Sequence, residues 1–142
     1  MKYLCLTAFG VYLFIISIKD IYKKRLDIRI VILGILFAPG FILCFNEIGL
    51  YERIMGLIPG AILYICSLVS REGIGLADIL EIILIGLCTG IGGIITVLSV
   101  AFLLIAFLAG IMIAFGRLKF KSRVPFLPFL FTGYVFMAFT MF

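Results

Sequence analysis

Two residue types are missing from this chain: its 142 residues include no histidine and no tryptophan. The lack of histidine excludes imidazole-ligated metal sites, histidine general bases and Ser-His triads. The lack of tryptophan means that any aromatic belt at a membrane interface must consist of Tyr and Phe. Cysteine is scarce and shows no Cys-x-x-Cys spacing, so neither a zinc ribbon nor a redox pair is indicated. We expect the four cysteines to be small buried apolar residues: Cys5, Cys44, Cys66 and Cys88.

Charged side chains are also few. They make up 13% of the chain, whereas hydrophobic residues make up 65% and the mean hydropathy is +1.39. Soluble domains carry roughly 25% charged residues. A water-soluble core of this size could not hide so much apolar surface. The composition therefore predicts an all-α integral membrane protein with one transmembrane domain over residues 1–142.

The apolar runs divide into six segments. A spanning helix needs about 20 mostly apolar residues. The run 79–116 is too long for one span, and the glycine-rich stretch Gly90–Gly93 is a suitable place for a turn. We therefore predict a bundle of six transmembrane helices with both termini outside, over approximately 3–18, 28–45, 53–70, 79–92, 95–116 and 124–142.

The distribution of positive charge supports this count. With six spans, ten of the twelve basic residues fall on one side of the membrane, in or beside the first, third and fifth connections. Short loops rich in Lys and Arg stay cytoplasmic. The net charge of +5 is then a topology signal, and we predict no nucleic-acid partner.

Two of the seven carboxylates stand at the ends of apolar runs. Asp20 follows the first span and Asp78 opens the fourth, so the predicted topology puts both at the cytoplasmic edge of the bilayer. Ionisable groups in or near a span are costly and tend to mark functional sites. The structural alternative is that Asp78 is an N-cap and that Asp20 pairs with Lys23 or Lys24. Position alone favours neither reading.

Two carboxylates held face to face have a defined chemistry. They share one proton, because like charges a few ångströms apart do not both ionise cheaply. The ionised member can deprotonate a water, while the protonated member polarises a peptide carbonyl and later protonates the leaving amine. This aspartic proteolysis needs no histidine, metal or cofactor, so we predict no metal and no cofactor.

Three segments, in order along the chain, resemble the motifs of one family. Asp20–Asp27 is similar to an Asp followed by a basic stretch at the end of a membrane helix. Gly73–Asp78 is similar to a Gly-x-Gly-Asp motif at the start of a later helix. Val124–Leu130 is similar to a Pro-Phe-Gly-Pro-Phe-Leu element. The family that these segments resemble is that of the type IV prepilin peptidases, which are intramembrane aspartic proteases.

The resemblance implies catalytic roles for Asp20 and Asp78 and a site-shaping role for the loop that contains Gly73, Gly75 and Ala77. It implies removal of a short basic leader from type IV pilin-like precursors at the cytoplasmic face of a prokaryotic plasma membrane. The expected partners are a prepilin-like substrate and the lipid bilayer. Nothing in the chain matches the cytoplasmic zinc-binding and methyltransferase part of larger members, so it resembles the minimal, peptidase-only form.

The chain departs from the family pattern near the second aspartate. Ala77 replaces the usual glycine, and a left-handed backbone there would cost an L-residue about 1–2 kcal/mol. Leu80 stands where many members have lysine. Glu81 is not part of the motif but shares a helix face with Asp78. It would tune the dyad, contact a positive charge of the leader, or close a polar cavity without a chemical role.

A non-enzymatic function is the alternative: a catalytically degenerate assembly factor or a small transporter subunit. The departures at Ala77 and Leu80 are its main support. A transporter should show a polar path across the bilayer, whereas the polar residues here cluster at one edge. We therefore favour the aspartic endopeptidase.

Overall fold

The described part of the protein is entirely helical. A computed structural model describes residues 2–23, 28–44, 47–70, 75–116 and 125–141, and none of these residues lies in a strand. Apolar segments form helices because a helix pairs its backbone groups internally. The prediction of an all-α protein is thus confirmed for these residues. In chain order the helices are α1 (Lys2–Lys23), α2 (Ile28–Cys44), α3 (Leu50–Gly56), α4 (Ile58–Ser70), α5 (Leu76–Ala114) and α6 (Leu127–Met141).

The outside of the bundle is apolar, and all six helices expose large hydrophobic side chains. Among the described residues, three segments are long and apolar enough to cross a membrane, namely Tyr3–Tyr22, Leu50–Val69 and Leu76–Ala114. Shorter apolar helices cover Ile32–Leu43 and Leu127–Met141. These features fit a membrane protein. The count of six spans and the outside position of the termini stay predictions.

The long helix α5 is broken within the glycine-rich stretch where a turn was expected. Gly90 has φ 70° and ψ −176° inside this 39-residue element. Glycine adopts positive φ without a Cβ penalty, so the chain can break here at little cost. The break divides α5 into one helical half before Gly90 and a second half after it.

Contacts on either side of the break show that the chain reverses. Asp20 accepts a hydrogen bond from the N–H of Leu127 and interacts electrostatically with Asp78. The rings of Phe102 and Phe126 have centroids 5.9 Å apart. Residues 78 and 102 therefore lie at a similar level of the bundle, although a straight helix would separate them by about 36 Å. The two halves of α5 run antiparallel.

The third predicted span consists of two helices. α3 ends at Gly56, and the N–H of Leu57 turns back to the carbonyl of Ile54 at 3.1 Å. Pro59 follows in the first turn of α4. Proline has no N–H to donate to the preceding turn, so it favours a helix start at this point. Both α3 and α4 pack against α5.

Arg53 on α3 binds backbone carbonyls at the end of two helices. Its side chain is 5% exposed. Nη1 donates to Leu87 O at 3.1 Å and to Cys88 O at 3.4 Å, in the last turn of α5 before the break. Nη2 donates to Ile42 O near the end of α2, and Nε donates to Ile48 O. Carbonyl groups in the last turn of a helix have no hydrogen-bond donor within the helix. The guanidinium of Arg53 provides the donors for these carbonyl groups.

Two glycines bring α3 and α5 into backbone contact. A Cβ on Gly86 would overlap the carbonyl oxygen of Gly56, and a Cβ on Gly56 would overlap that of Gly86. Small residues at helix interfaces permit such close approach in membranes. α5 also packs against α2, α4 and α6, which makes it the central element of the bundle.

This contact gives a stability prediction. We expect Gly86→Ala to lower the free energy of unfolding by about 2–4 kcal/mol, because the added methyl group forces two backbones apart. Gly110→Ala is the matched control on the same helix, since a Cβ there meets no atom within 4 Å. Alanine should be neutral or stabilising by up to about 1 kcal/mol at that position. Thermal unfolding in detergent, followed by circular dichroism, measures both. Equal stability of the two variants would contradict the close contact.

The cysteines do not form a uniform set. Cys88 is a buried free thiol, which confirms the expectation for that residue. Cys66 is a free thiol on the exposed surface, and Cys5 is disulfide-bonded. For these two the expectation of small buried apolar residues is wrong. The side chain of Cys44 lies outside the described part of the chain.

Candidate active site

Asp78 lies in the first turn of α5 and binds back to the start of the helix. Gly75 is the N-cap residue, with φ −60° and ψ 139°, which makes Asp78 the third helical position. The half-buried carboxylate accepts a hydrogen bond from the N–H of Gly75. This contact is one half of a capping box. The structural alternative that Asp78 is the N-cap is therefore wrong, because Gly75 is the N-cap. Asp78 instead stabilises the helix start from the third helical position.

Asp20 lies near the C-terminal end of α1 and faces the start of another helix. Its half-buried carboxylate accepts a hydrogen bond from the N–H of Leu127, the first residue of α6. The first N–H groups of a helix have no intrahelical acceptor. Asp20 thus supplies from α1 the acceptor that the N-terminus of α6 lacks. The side chains of Lys23 and Lys24, its alternative partners, lie outside the described residues.

The fold brings Asp20 and Asp78 together from positions 58 residues apart in the sequence. Their carboxylates interact electrostatically. In the described part of the bundle, no Cα atom of α1 lies within 8 Å of one of α5. The two helices therefore approach each other here through side chains and not through close backbone contact.

Two helix N-termini converge on this pair of carboxylates, that of α5 on Asp78 and that of α6 on Asp20. The start of a helix carries partial positive charge, equivalent to roughly half a unit. These two partial charges, with the two backbone N–H donors, offset part of the repulsion between the carboxylates. These contacts help the bundle to hold two acids close together.

Glu81 lies one helical turn further along α5 and is buried completely, with 0% exposure. Its Oε1 accepts a hydrogen bond of 2.7 Å from the hydroxyl of Tyr12 on α1. Its Oε2 has no hydrogen-bond partner among the described residues. Glu81 also interacts electrostatically with Asp78. It thus extends the pair of carboxylates into the bundle.

Tyr12 reaches Glu81 because α2 leaves space for its ring. A Cβ on Gly34 would overlap the hydroxyl of Tyr12. The hydroxyl is therefore held between the backbone of α2 and the carboxylate on α5. The prediction from sequence did not include Tyr12. Its signal was weak, since a tyrosine in an apolar run is also a common packing or interface residue.

The loop before Asp78 is described in part. Gly73 lies outside the described residues. Gly75 has negative φ, so its importance is steric: a Cβ there would lie 3.3 Å from Asp78 Oδ2. Ala77 lies within α5, and positive φ occurs among the described glycines only at Gly90 and Gly116. Alanine at 77 therefore needs no left-handed backbone, and the strain considered from the sequence does not arise.

Within the described part of the chain, no cluster of three or more Cys, Asp or Glu side chains is arranged to hold a metal ion.

Leu127, whose N–H binds Asp20, belongs to the third segment singled out in the sequence, where leucine replaces glycine. Its backbone contact depends on where α6 starts and not on its side chain. That contact could not be read from the sequence pattern.

The profile of the type IV leader peptidase family matches residues 7–115, which is more than half of the chain. The match includes both aspartates, Glu81 and the break at Gly90. Searches of curated proteins and of solved structures gave no match. The family agrees with the resemblance found in the sequence, and its members are peptidases. The chain therefore belongs to the type IV leader peptidase family.

Proposed function

We propose that this protein is an intramembrane aspartic endopeptidase whose catalytic dyad is Asp20 and Asp78. One observation carries the proposal: two half-buried carboxylates from distant parts of the chain interact with each other, and each accepts a hydrogen bond from a backbone N–H. A pair of this kind can share a proton and act as both base and acid. The family supplies the reaction class, which is peptide hydrolysis.

In the proposed reaction, the ionised carboxylate takes a proton from a water molecule, and the hydroxide oxygen attacks the carbonyl carbon of the scissile peptide. The protonated carboxyl gives its proton to the carbonyl oxygen, which forms a tetrahedral diol. The first carboxyl then passes its proton to the peptide nitrogen as the C–N bond breaks. One hydroxyl of the diol returns its proton to the second carboxylate. The products are a carboxylic acid and an amine, and the dyad again holds one proton.

We place this reaction at the cytoplasmic face of a prokaryotic plasma membrane. The support is the clustering of basic residues beside the ends where Asp20 and Asp78 lie, because Lys- and Arg-rich loops stay cytoplasmic. The proposed substrate is a type IV pilin-like precursor, whose leader the enzyme removes. The family description, a type IV leader peptidase, supports this substrate class.

The non-enzymatic alternative rested on Ala77 and Leu80. Because Ala77 takes a helical conformation, its departure from glycine removes no backbone freedom that the site needs. Leu80 is on the exposed side of α5, away from the buried position of Glu81. Neither departure now favours a degenerate enzyme.

The helical conformation of Ala77 gives a direct prediction. We expect Ala77→Gly, which restores the family glycine, to leave the rate of leader cleavage within about twofold of wild type. It should lower the free energy of unfolding by up to about 1 kcal/mol, because glycine is the weaker helix former. Cleavage rates and thermal unfolding measure the two effects. A several-fold gain in cleavage would show that alanine does strain this helix start.

The function itself is tested by co-expressing the protein with leader-bearing precursor candidates and following the loss of leader mass. Wild type should cleave one of them, whereas the double variant Asp20→Asn/Asp78→Asn should cleave none. Glu52→Gln is the control, since Glu52 is an exposed acid on α3 outside the dyad. Cleavage by the double variant would overturn the proposal.

A further inference from the structure

Glu81 is the buried acid that the proposed reaction does not use. It is fully buried, and only one of its oxygens, Oε1, has a hydrogen-bond partner in the described structure. An isolated ionised carboxylate in an apolar interior carries a large desolvation penalty. An ionised Glu81 would also add a second negative charge beside the dyad, which holds one proton and therefore one charge. Burial and charge therefore both favour an uncharged side chain.

An uncharged Glu81 has a defined donor. Tyr12 donates to Oε1, so the proton of the acid belongs on Oε2, which makes Oε2 the donor atom. Asp78 lies three residues earlier on the same helix face, separated by about 4.5 Å of helix rise. One bridging water would join Oε2–H to the Asp78 carboxylate while Oε1 keeps its hydrogen bond from Tyr12.

We propose that Glu81 is a positioning residue of the dyad, acting as an uncharged acid whose Oε2–H donates a hydrogen bond toward Asp78, through one bridging water, from inside the bundle. Tyr12 fixes the orientation of this donor by binding Oε1. Asp78 then has a donor on either side, Gly75 N–H from the helix start and Glu81 from the bundle interior. The inference rests on the proposed function, because it assigns Glu81 to that dyad.

Three titratable groups in the described structure face Glu81. Asp78 and Cys88 lie on its own helix and interact with it electrostatically, and Tyr12 is bonded to it from α1. α2 contributes the backbone at Gly34, which packs on the Tyr12 hydroxyl. Of these three groups, Asp78 is therefore the acceptor for a hydrogen bond from a protonated Oε2.

The test compares two replacements of similar size. Glu81→Met removes the donor, and we expect kcat to fall about 10- to 100-fold with little change in KM, the range of one charge-assisted hydrogen bond. Glu81→Gln keeps a neutral donor, and we expect it to recover most of that loss, to about threefold below wild type. The pH dependence of kcat/KM should superimpose for Glu81→Gln and wild type, because neither changes charge at this position. Glu52→Gln, on the exposed side of α3, is the control for unaltered activity.

Three results would overturn the inference. Wild-type kcat in Glu81→Met would mean that the side chain only fills space. A Glu81→Gln variant as slow as Glu81→Met, or with a displaced pH profile, would mean that the acid works in its charged form. If Glu81→Met does not fold, the rate and pH profile of Glu81→Gln decide between the same outcomes. Failure of the wild type to cleave, or cleavage by the Asp20→Asn/Asp78→Asn variant, would instead refute the proposed function.

Discussion

Replacing either Asp20 or Asp78 with asparagine should lower leader cleavage by roughly 10²–10⁴-fold, the contribution of one positioned acid or base. Asparagine cannot take a proton from water or hold the one that the dyad shares. Its side-chain oxygen still accepts a hydrogen bond, so the bonds from Leu127 N–H and Gly75 N–H can persist. The substitution therefore removes the chemistry and leaves the helix-terminal contacts.

Stability separates this prediction from the structural alternative. Each single asparagine variant should unfold within about 1 kcal/mol of wild type, because the loss of a charge at a helix start is offset by the loss of like-charge repulsion. Thermal unfolding by circular dichroism measures this. Intrinsic tryptophan fluorescence is not an option, since the chain has no tryptophan.

Alanine variants at the two positions complete the comparison. Asp78→Ala should lose both activity and the capping contact at Gly75, with a fall of about 0.5–2 kcal/mol in the free energy of unfolding. If the asparagine variants kept wild-type cleavage while the alanine variants lost stability, both aspartates would be helix-terminal residues only. The dyad would then be wrong.

Replacing Arg53 with methionine should lower the free energy of unfolding by about 2–4 kcal/mol. Methionine fills a similar part of the space but donates no hydrogen bond. The carbonyls of Leu87, Cys88, Ile42 and Ile48 would all lose the guanidinium. These carbonyl groups take part in buried or partly buried contacts. Water would therefore not fully replace the hydrogen bonds that they lose.

Arg53→Lys should show an intermediate loss, because an ammonium group reaches fewer of these carbonyls than a planar guanidinium. Glu52→Gln, its exposed neighbour, should stay within about 0.5 kcal/mol of wild type. Thermal unfolding in detergent compares the three variants. Wild-type stability of Arg53→Met would mean that the break in α5 does not depend on Arg53.

The position of Arg53 also shows why a charged residue can be misjudged from sequence. At the edge of an apolar run it resembles an interfacial residue that points to water. The structure buries it, because the break at Gly90 leaves carbonyls exposed inside the bundle. A helix break and a donor 37 positions away in the chain must therefore be considered together. Sequence periodicity describes each of them alone.

The local sequence pattern was sufficient to predict the helices, the break in α5 and the two aspartates of the candidate site. The lack of charge and the long apolar runs predict helices, since only internal pairing satisfies a backbone in an apolar medium. The glycine-rich stretch predicts the break, since Gly90 adopts a positive φ that other residues resist. The order of the apolar runs predicts that Asp20 and Asp78 lie at the same end of the bundle, and their interaction agrees with this.

Tertiary structure decided what each of these side chains contacts. Tyr12 and Glu81 are 69 residues apart, and their hydrogen bond exists because α2 has a glycine where the tyrosine hydroxyl lies. Asp20 faces the N–H of Leu127 because α6 begins at that level. Hydrophobicity and helical periodicity act over a few residues, so they determine which segments are helical and in what order the helices follow one another. The angles and distances between helices follow from the packing of all side chains at once, and these alone bring Glu81 and two helix N-termini to the pair of aspartates.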